Sequence, residues 1–169
     1  MFGTLWRQLP ENWGLRASLV FLSLALSFTG ACAPPEVPGK LAGLPRTKFI
    51  SGARAVYLMS TIHAGRFRPP RAVVAEYGSG KLLLYVSIFH SQEEAQQAME
   101  KMLKTLGANR EFSPPRALEP GVMRWLTVGP GGHHLFWRSA SQVFWLAGEP
   151  ESVFFALEEL PSPPKGLEV

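Results

Sequence analysis

The sequence contains no aspartate and a single cysteine, Cys32, and both shortages exclude classes of protein. All thirteen acidic side chains are glutamate, so no mechanism that requires a catalytic aspartate is available. One cysteine cannot form an intrachain disulfide or a multi-cysteine zinc or iron–sulfur site. Charged residues make up only 18% of a chain that is 46% hydrophobic, which excludes disorder throughout. The 169 residues are enough for one domain with its own core.

The first feature that the sequence does contain is an uncharged apolar segment, Ala17–Ala33. Its seventeen residues are few for a membrane span, and small residues at its end are typical of a signal peptide. The segment runs into Thr29-Gly30-Ala31-Cys32, which resembles the bacterial lipobox. That resemblance implies cleavage before Cys32, a diacylglycerol on its thiol with palmitate among the acyl chains, and a lipoprotein of the cell envelope. The alternative is an uncleaved signal anchor in which Cys32 is incidental.

The chain is predicted to have four parts: a signal peptide over 1–31, the lipidated cysteine with a proline-rich tether over 32–48, a globular domain over 49–161, and a tail over 162–169. The prolines of the tether lack the N–H that helices and central strands require, so we expect an extended spacer. The domain would face the periplasm or the cell exterior. A net charge of +4 on an exported chain favours anionic head groups or an acidic partner over nucleic acid.

Hydrophobic periodicity in the domain predicts two β-hairpins, each followed by a helix. The first hairpin spans 72–89, and a capping box of Ser91 and Glu94 starts the helix behind it. The second spans 133–147, and Pro150 opens the helix that follows. The remaining predicted elements are a helix over 49–61, a loop over 108–120 and a strand over 122–128. The fold class is therefore α+β, an antiparallel sheet from two hairpins with helices on one face.

Short motifs in this region resemble an uncharacterised exported bacterial domain family of unknown function. The motifs are Ser51-Gly52-Ala53 with Tyr57-Leu58, then Ala75-Glu76-Tyr77, then the helix start Ser91-Gln92-Glu93-Glu94-Ala95. The similarity covers Phe49–Met99 and, less closely, Phe136–Leu160. This chain has Ser51 at a position where glycine is commoner in the family, and an inserted loop near Arg66–Arg71. The resemblance implies the α+β fold and carries no activity with it.

No residue pattern predicts catalysis, a metal or a cofactor. His133 and His134 are neighbours in a predicted strand, so their side chains point to opposite faces, while His63 and His90 lie in or beside loops. The chain has no Gly-x-Ser-x-Gly elbow and no phosphate-binding loop. We therefore expect no enzymatic activity, and a hydrolase ranks third among the functions considered.

Arginine is concentrated in one predicted loop, where Arg66, Arg68 and Arg71 place three guanidinium groups within six residues. Such a loop is either solvated or a docking site for an acidic partner or a lipid phosphate, to which arginine binds through two parallel hydrogen bonds. As a docking site, the loop favours the first function considered, an accessory or interaction subunit of a membrane-associated assembly. The sequence does not name the protein partner of that subunit.

Tryptophan is concentrated in the last three predicted strands, at Trp125, Trp137 and Trp145. These side chains either pack across strands in the core or form an exposed aromatic surface. An exposed surface would favour the alternative function, a ligand-binding module that holds a small apolar or anionic molecule on its aromatic sheet.

The lipidation hypothesis predicts the mass of the protein extracted in mild detergent from its own membranes. Because cleavage precedes Cys32, we expect intact mass spectrometry to give residues 32–169 plus acyl chains. A mass that fits residues 1–169 without acyl chains would instead identify an uncleaved signal anchor.

Overall fold

The computed structural model describes residues 37–119 and 122–162. These residues form one compact unit, and the predicted signal peptide, Cys32 and nearly all of the predicted tail lie outside them. In chain order the elements are β1 (Lys40–Leu41), β2 (Leu44–Ser51), α1 (Gly52–Ile62), β3 (Arg71–Tyr77), β4 (Leu82–Ile88), α2 (Gln92–Ala108), β5 (Arg116–Glu119), β6 (Val122–Gly129), β7 (Gly132–Ser139), β8 (Gln142–Gly148) and α3 (Pro150–Glu159).

The strands form one eight-stranded sheet in the order β1-β2-β3-β4-β8-β7-β6-β5. Every neighbouring pair is antiparallel, and both predicted hairpins, β3–β4 and β7–β8, are present. The two hairpins join through β4 and β8, whose pairing runs without interruption from Leu82 opposite Gly148 to Ile88 opposite Gln142. The predicted α+β class with an antiparallel sheet is confirmed.

The N-terminal cap of α2 has the predicted Ser91 bond: the Ser91 Oγ accepts the Glu94 N–H at 3.2 Å. The Glu94 Oε2 accepts the N–H of His90 at 3.2 Å, one residue before the N-cap, instead of that of Ser91. Together the two bonds fix where the helix begins. The stripe that the helix buries includes Ala95, Met99 and Leu106.

The helices are divided between the two faces of the sheet. On one face α1 packs on Ala72 and Val74, and α2 packs on Phe136 and Val143. On the other face α3 packs on the alternate residues, such as Leu135. The expected one-sided arrangement thus holds for α1 and α2 but not for α3. The centre of β7 and most of β8 are buried on both faces, so the pattern of apolar residues did not indicate which face each helix would cover.

The sheet begins at Lys40, inside the segment predicted as a tether, although the domain was expected to begin at Phe49 with a helix. Leu41 is 0% exposed and belongs to the core on the α3 face. Pro45 is tolerated in β2 because it lies where the ladder with β3 ends, and its carbonyl accepts the Gly78 N–H at 3.0 Å. Prolines near a sheet edge therefore misled the boundary prediction.

Two shorter segments also differ from the prediction. Residues 49–51 complete β2, and the helix expected from Phe49 begins only at Gly52. β5 occupies part of the predicted 108–120 loop, just after Pro114 and Pro115. Both differences arise where proline or glycine lies beside a strand, so that a turn signal concealed the strand.

Gly148 is the glycine whose replacement the sheet tolerates least. A Cβ at this position would collide with the Lys81 carbonyl oxygen and lie 3.1 Å from the Leu82 Cα. Both are backbone atoms at the start of the neighbouring strand β4. We expect Gly148→Ala to lower the free energy of unfolding by about 2 kcal/mol or more, measured by urea denaturation.

The matched control for that substitution is Gly107→Ala, where an added Cβ meets nothing within 4 Å. Because Gly107 lies inside α2, alanine there should raise the free energy of unfolding by about 0.5–1 kcal/mol. Equal effects at the two positions would contradict the assigned packing of Gly148.

Candidate functional site

An open cleft of about 590 Å³ lies at the start of α1. Its apolar part consists of Ala53, Val56, Pro69 and Pro70. Its polar part consists of two guanidinium groups, one imidazole and a helix start, contributed by Arg68, Arg71, His90 and Gly52. The lining therefore combines positive charge with an apolar floor, and it contains no acidic side chain.

Gly52 makes the sharp change from β2 into α1. Its φ is +63°, a left-handed conformation that glycine adopts without steric penalty. The N-cap residue Ser51 makes no side-chain hydrogen bond to the helix, and the first turn has no acidic side chain. The partial positive charge at the start of α1 therefore adds to that of the arginines.

The loop between α1 and β3 is held by aromatic packing. His63 Nδ1 lies 2.7 Å from the Met59 carbonyl oxygen, and its ring contacts Phe67 at a centroid distance of 5.0 Å. Phe67 also contacts Phe89 at 6.3 Å and packs against the clusters under both α1 and α2. Because Phe67 is directed inward, its neighbours Arg66 and Arg68 are both exposed. Of these two, only Arg68 lines the cleft.

His90 reaches the cleft from the start of α2. Its backbone N–H is bound by Glu94 in the capping box, which fixes the residue immediately before the helix. Among the lining residues no carboxylate is available to orient the imidazole, so the arrangement offers no acid–base pair. What the cleft can do is bind an anionic group through charge-assisted hydrogen bonds, with aliphatic parts of the ligand against its floor.

The structure brings together two of the three arginines predicted to dock a partner. Arg68 and Arg71 line the cleft, whereas Arg66 is exposed outside its lining. Sequence analysis missed the contribution of His90, which is distant in the chain from the arginine loop. A capping box places the residue before it at a helix start, but only the pairing of strands could show which loop that helix start faces.

The aromatic surface predicted from Trp125, Trp137 and Trp145 is not formed. Trp137 is 0% exposed on the α3 face, where it stacks on Phe144 at 5.1 Å and donates its Nε1–H to the Pro161 carbonyl at 2.8 Å. Trp125 and Trp145 lie on the opposite face, partly buried in the cluster under α2. Alternation along the paired strands separates them, so these side chains pack in the core instead.

Trp145 takes part in a buried hydrogen-bond chain through His134. The Trp145 Nε1–H donates to His134 Nδ1 at 3.1 Å, so the ring proton resides on Nε2, which donates to the Pro130 carbonyl at 2.9 Å. Burial lowers the pKa of His134, as does the nearby His133, while the bond to Pro130 opposes the shift. Protonation of Nδ1 would remove the acceptor for the Trp145 N–H.

Comparisons with known proteins add no identification. No family model, no curated protein and no solved structure matches the chain. The resemblance of the 49–99 motifs to an exported domain family therefore stays a prediction.

In residues 37–119 and 122–162, no helix is long and apolar enough to span a membrane. Nor do three or more His, Cys or Glu side chains come together there in a group that could hold a metal ion.

The His134 hydrogen bonds predict how stability depends on pH. The folded pKa lies below the value of about 6.5 expected for an unfolded histidine, so the unfolded chain binds more protons in that range. The free energy of unfolding should therefore be highest above about pH 6.5 and fall as the pH drops through the folded pKa. Urea denaturation between about pH 7.5 and pH 5.5 measures this slope.

His134→Gln, which cannot titrate, should reduce that slope, whereas the exposed His90→Gln should leave it unchanged. The same slope in the wild-type protein and in His134→Gln would show that the buried imidazole does not control it.

Proposed function

We propose that this chain is a bacterial lipoprotein, held at the membrane through Cys32, whose domain is a non-catalytic accessory subunit of a membrane-associated assembly. In this proposal the cleft of Arg68, Arg71 and His90 binds an acidic segment of a protein partner. The observation that carries the proposal is the convergence of three cationic or ionisable basic side chains on an apolar floor with no acidic residue in the lining.

The chemistry of the cleft favours a peptide carboxylate as the bound group. Guanidinium groups bind carboxylates through two parallel hydrogen bonds, and such charge-assisted bonds are about twice as strong as neutral ones. The floor of Ala53, Val56, Pro69 and Pro70 offers apolar contact for the alkyl parts of the segment. Because the cleft is open, it suits an extended segment that continues beyond it on both sides.

The position of the cleft favours a partner over lipid phosphate. Arg71 begins β3 and Tyr77 ends it, and a strand of seven residues is about 20 Å long. The Tyr77 hydroxyl donates to the Pro38 carbonyl at 3.0 Å, so the chain that comes from Cys32 joins the fold beside the Tyr77 end. The cleft lies at the other end of β3, away from that attachment.

The proposal predicts proteins that co-purify with this chain (its companions), and their binding should depend on single side chains of the cleft. When the full-length protein is purified from its own membranes in mild detergent, other proteins should accompany it in fixed ratio. Arg68→Gln should weaken the binding of these proteins by a factor of at least about ten, because a lost charge-assisted contact corresponds to about 1.5–3 kcal/mol. Quantitative mass spectrometry of the purified complex measures the ratio.

Arg66→Gln is the matched control, since Arg66 lies in the same loop but outside the cleft lining. It should keep the companions, and both variants should keep the wild-type melting temperature because both side chains are exposed. Loss of companions in both variants, or in neither, would contradict the assignment of the cleft.

A further inference from the structure

The first described residues are tied firmly to the sheet. The Val37 carbonyl accepts a hydrogen bond from Arg46 Nη1 at 2.8 Å, and the Gly39 carbonyl accepts the Arg46 N–H at 2.9 Å. The Ala42 N–H donates to Glu159 Oε1 at 2.9 Å, and Leu41 is buried in the core. The residues from Val37 onward therefore belong to the fold, so the sheet includes part of the segment that was predicted as a spacer.

This arrangement limits how far the domain can move from a membrane anchor. Val37 follows Cys32 by five positions in sequence, and an extended chain reaches at most about 18 Å over that length. That reach is shorter than the length of β3, which is about 20 Å. The same limit holds if residues 17–33 remain as an uncleaved anchor, because that segment also ends just before Val37. The surface around Val37 therefore stays close to the lipid.

The surface nearest to this attachment is the β1–β2 edge, which we define by Lys40, Arg46, Lys48 and Phe49. All four side chains are exposed, and Phe49 is 48% exposed although it is a large apolar residue. The Arg46 guanidinium lies 4.6 Å from the centre of the Phe49 ring. Alternation along the strands places Arg46 and Phe49 towards the α3 side of the sheet and the two lysines towards the α1 side. The edge thus carries cations on both of its sides, and one of them lies over an exposed aromatic ring.

The charge of this region has one sign. From Val37 to Ala75 the chain contains seven basic side chains and no acidic one. In sequence this region lies between two glutamates, Glu36 and Glu76. Glu76 lies opposite Lys48 in the β2–β3 register, and Glu159 accepts the Ala42 N–H. The outer side of β2 is covered by β1 only at Leu44 and Pro45.

We infer that the β1–β2 edge rests on anionic lipid head groups when the protein is anchored. Lysine and arginine near a membrane are attracted to its negative surface, and aromatic rings favour the level of the head groups. A short covalent link makes this contact effectively intramolecular, so even a weak surface is occupied. The inference rests on the membrane anchoring in the proposed function.

Hydrogen exchange of the anchored protein tests the contact. The full-length protein, purified from its own membranes, is reconstituted into vesicles of phosphatidylcholine alone or with about one third phosphatidylglycerol. In the anionic vesicles the amides of residues 44–51 should exchange at least about threefold more slowly, and high salt should abolish the difference because it screens exposed charges.

Lys40→Gln with Lys48→Gln should remove the protection. Arg46 is left intact in this variant because its guanidinium also binds the Val37 carbonyl. The matched control is Lys101→Gln with Lys104→Gln, which removes two exposed charges on α2 and should keep the protection.

Equal exchange in the two kinds of vesicle would overturn the inference, as would protection that persists in Lys40→Gln with Lys48→Gln. Intact mass and companion proteins are measured on the same preparation. An anchored protein that keeps its companions but shows equal exchange would refute the lipid contact alone and leave the proposed function standing.

Discussion

The burial of Leu41 is the constraint on which the other features of this domain depend. The segment around it is rich in proline and glycine, and without Leu41 in the core it would be a spacer. Arg46 and Tyr77 donate hydrogen bonds to the segment, and the Glu159 carboxylate accepts one from it, so the segment is held on either side of that side chain. A buried leucine contributes about 1.5–3 kcal/mol relative to an exposed one, and this offsets the backbone ordering of about one or two residues. The fixed segment in turn determines which end of the sheet is nearest to the anchor.

Two basic surfaces with different surroundings follow from the way the chain is then folded. The region without acidic residues, 37–75, forms one margin of the sheet together with α1. Its cations are divided along β3: the β1–β2 edge lies towards Tyr77, and the cleft begins at Arg71. A run of basic residues in sequence therefore becomes two surfaces: the edge has Arg46 opposite Tyr77 at one end of β3, and the cleft lies at the Arg71 end, directly after β2. In the proposed function these surfaces bind different groups.

Much of the fold could be predicted because its signals are local. The capping box at Ser91, the hairpin turns and the proline that opens α3 each depend on a few neighbouring residues. The positions of the tryptophans could not be predicted, because β7 is buried on both faces through its centre and a shift of one residue in register would exchange Trp137 with Phe136. The predicted start of the folded domain was wrong for a related reason. Prolines near a sheet edge have the same sequence signal as prolines in a spacer, and only the long-range contacts of Leu41 distinguish them.

The candidate site shows the same limit at the level of single side chains. Three arginines within six residues predict a basic loop, but their number does not predict how many act together. Phe67 decides this, since its ring packs under the loop and leaves Arg68 on the cleft with Arg66 outside it. His90 then joins from α2, because the β3–β4 register places Arg71 opposite Ile88, two residues before it. The anion-binding arrangement thus arises from one aromatic contact and one strand pairing, and both lie beyond the reach of a local motif.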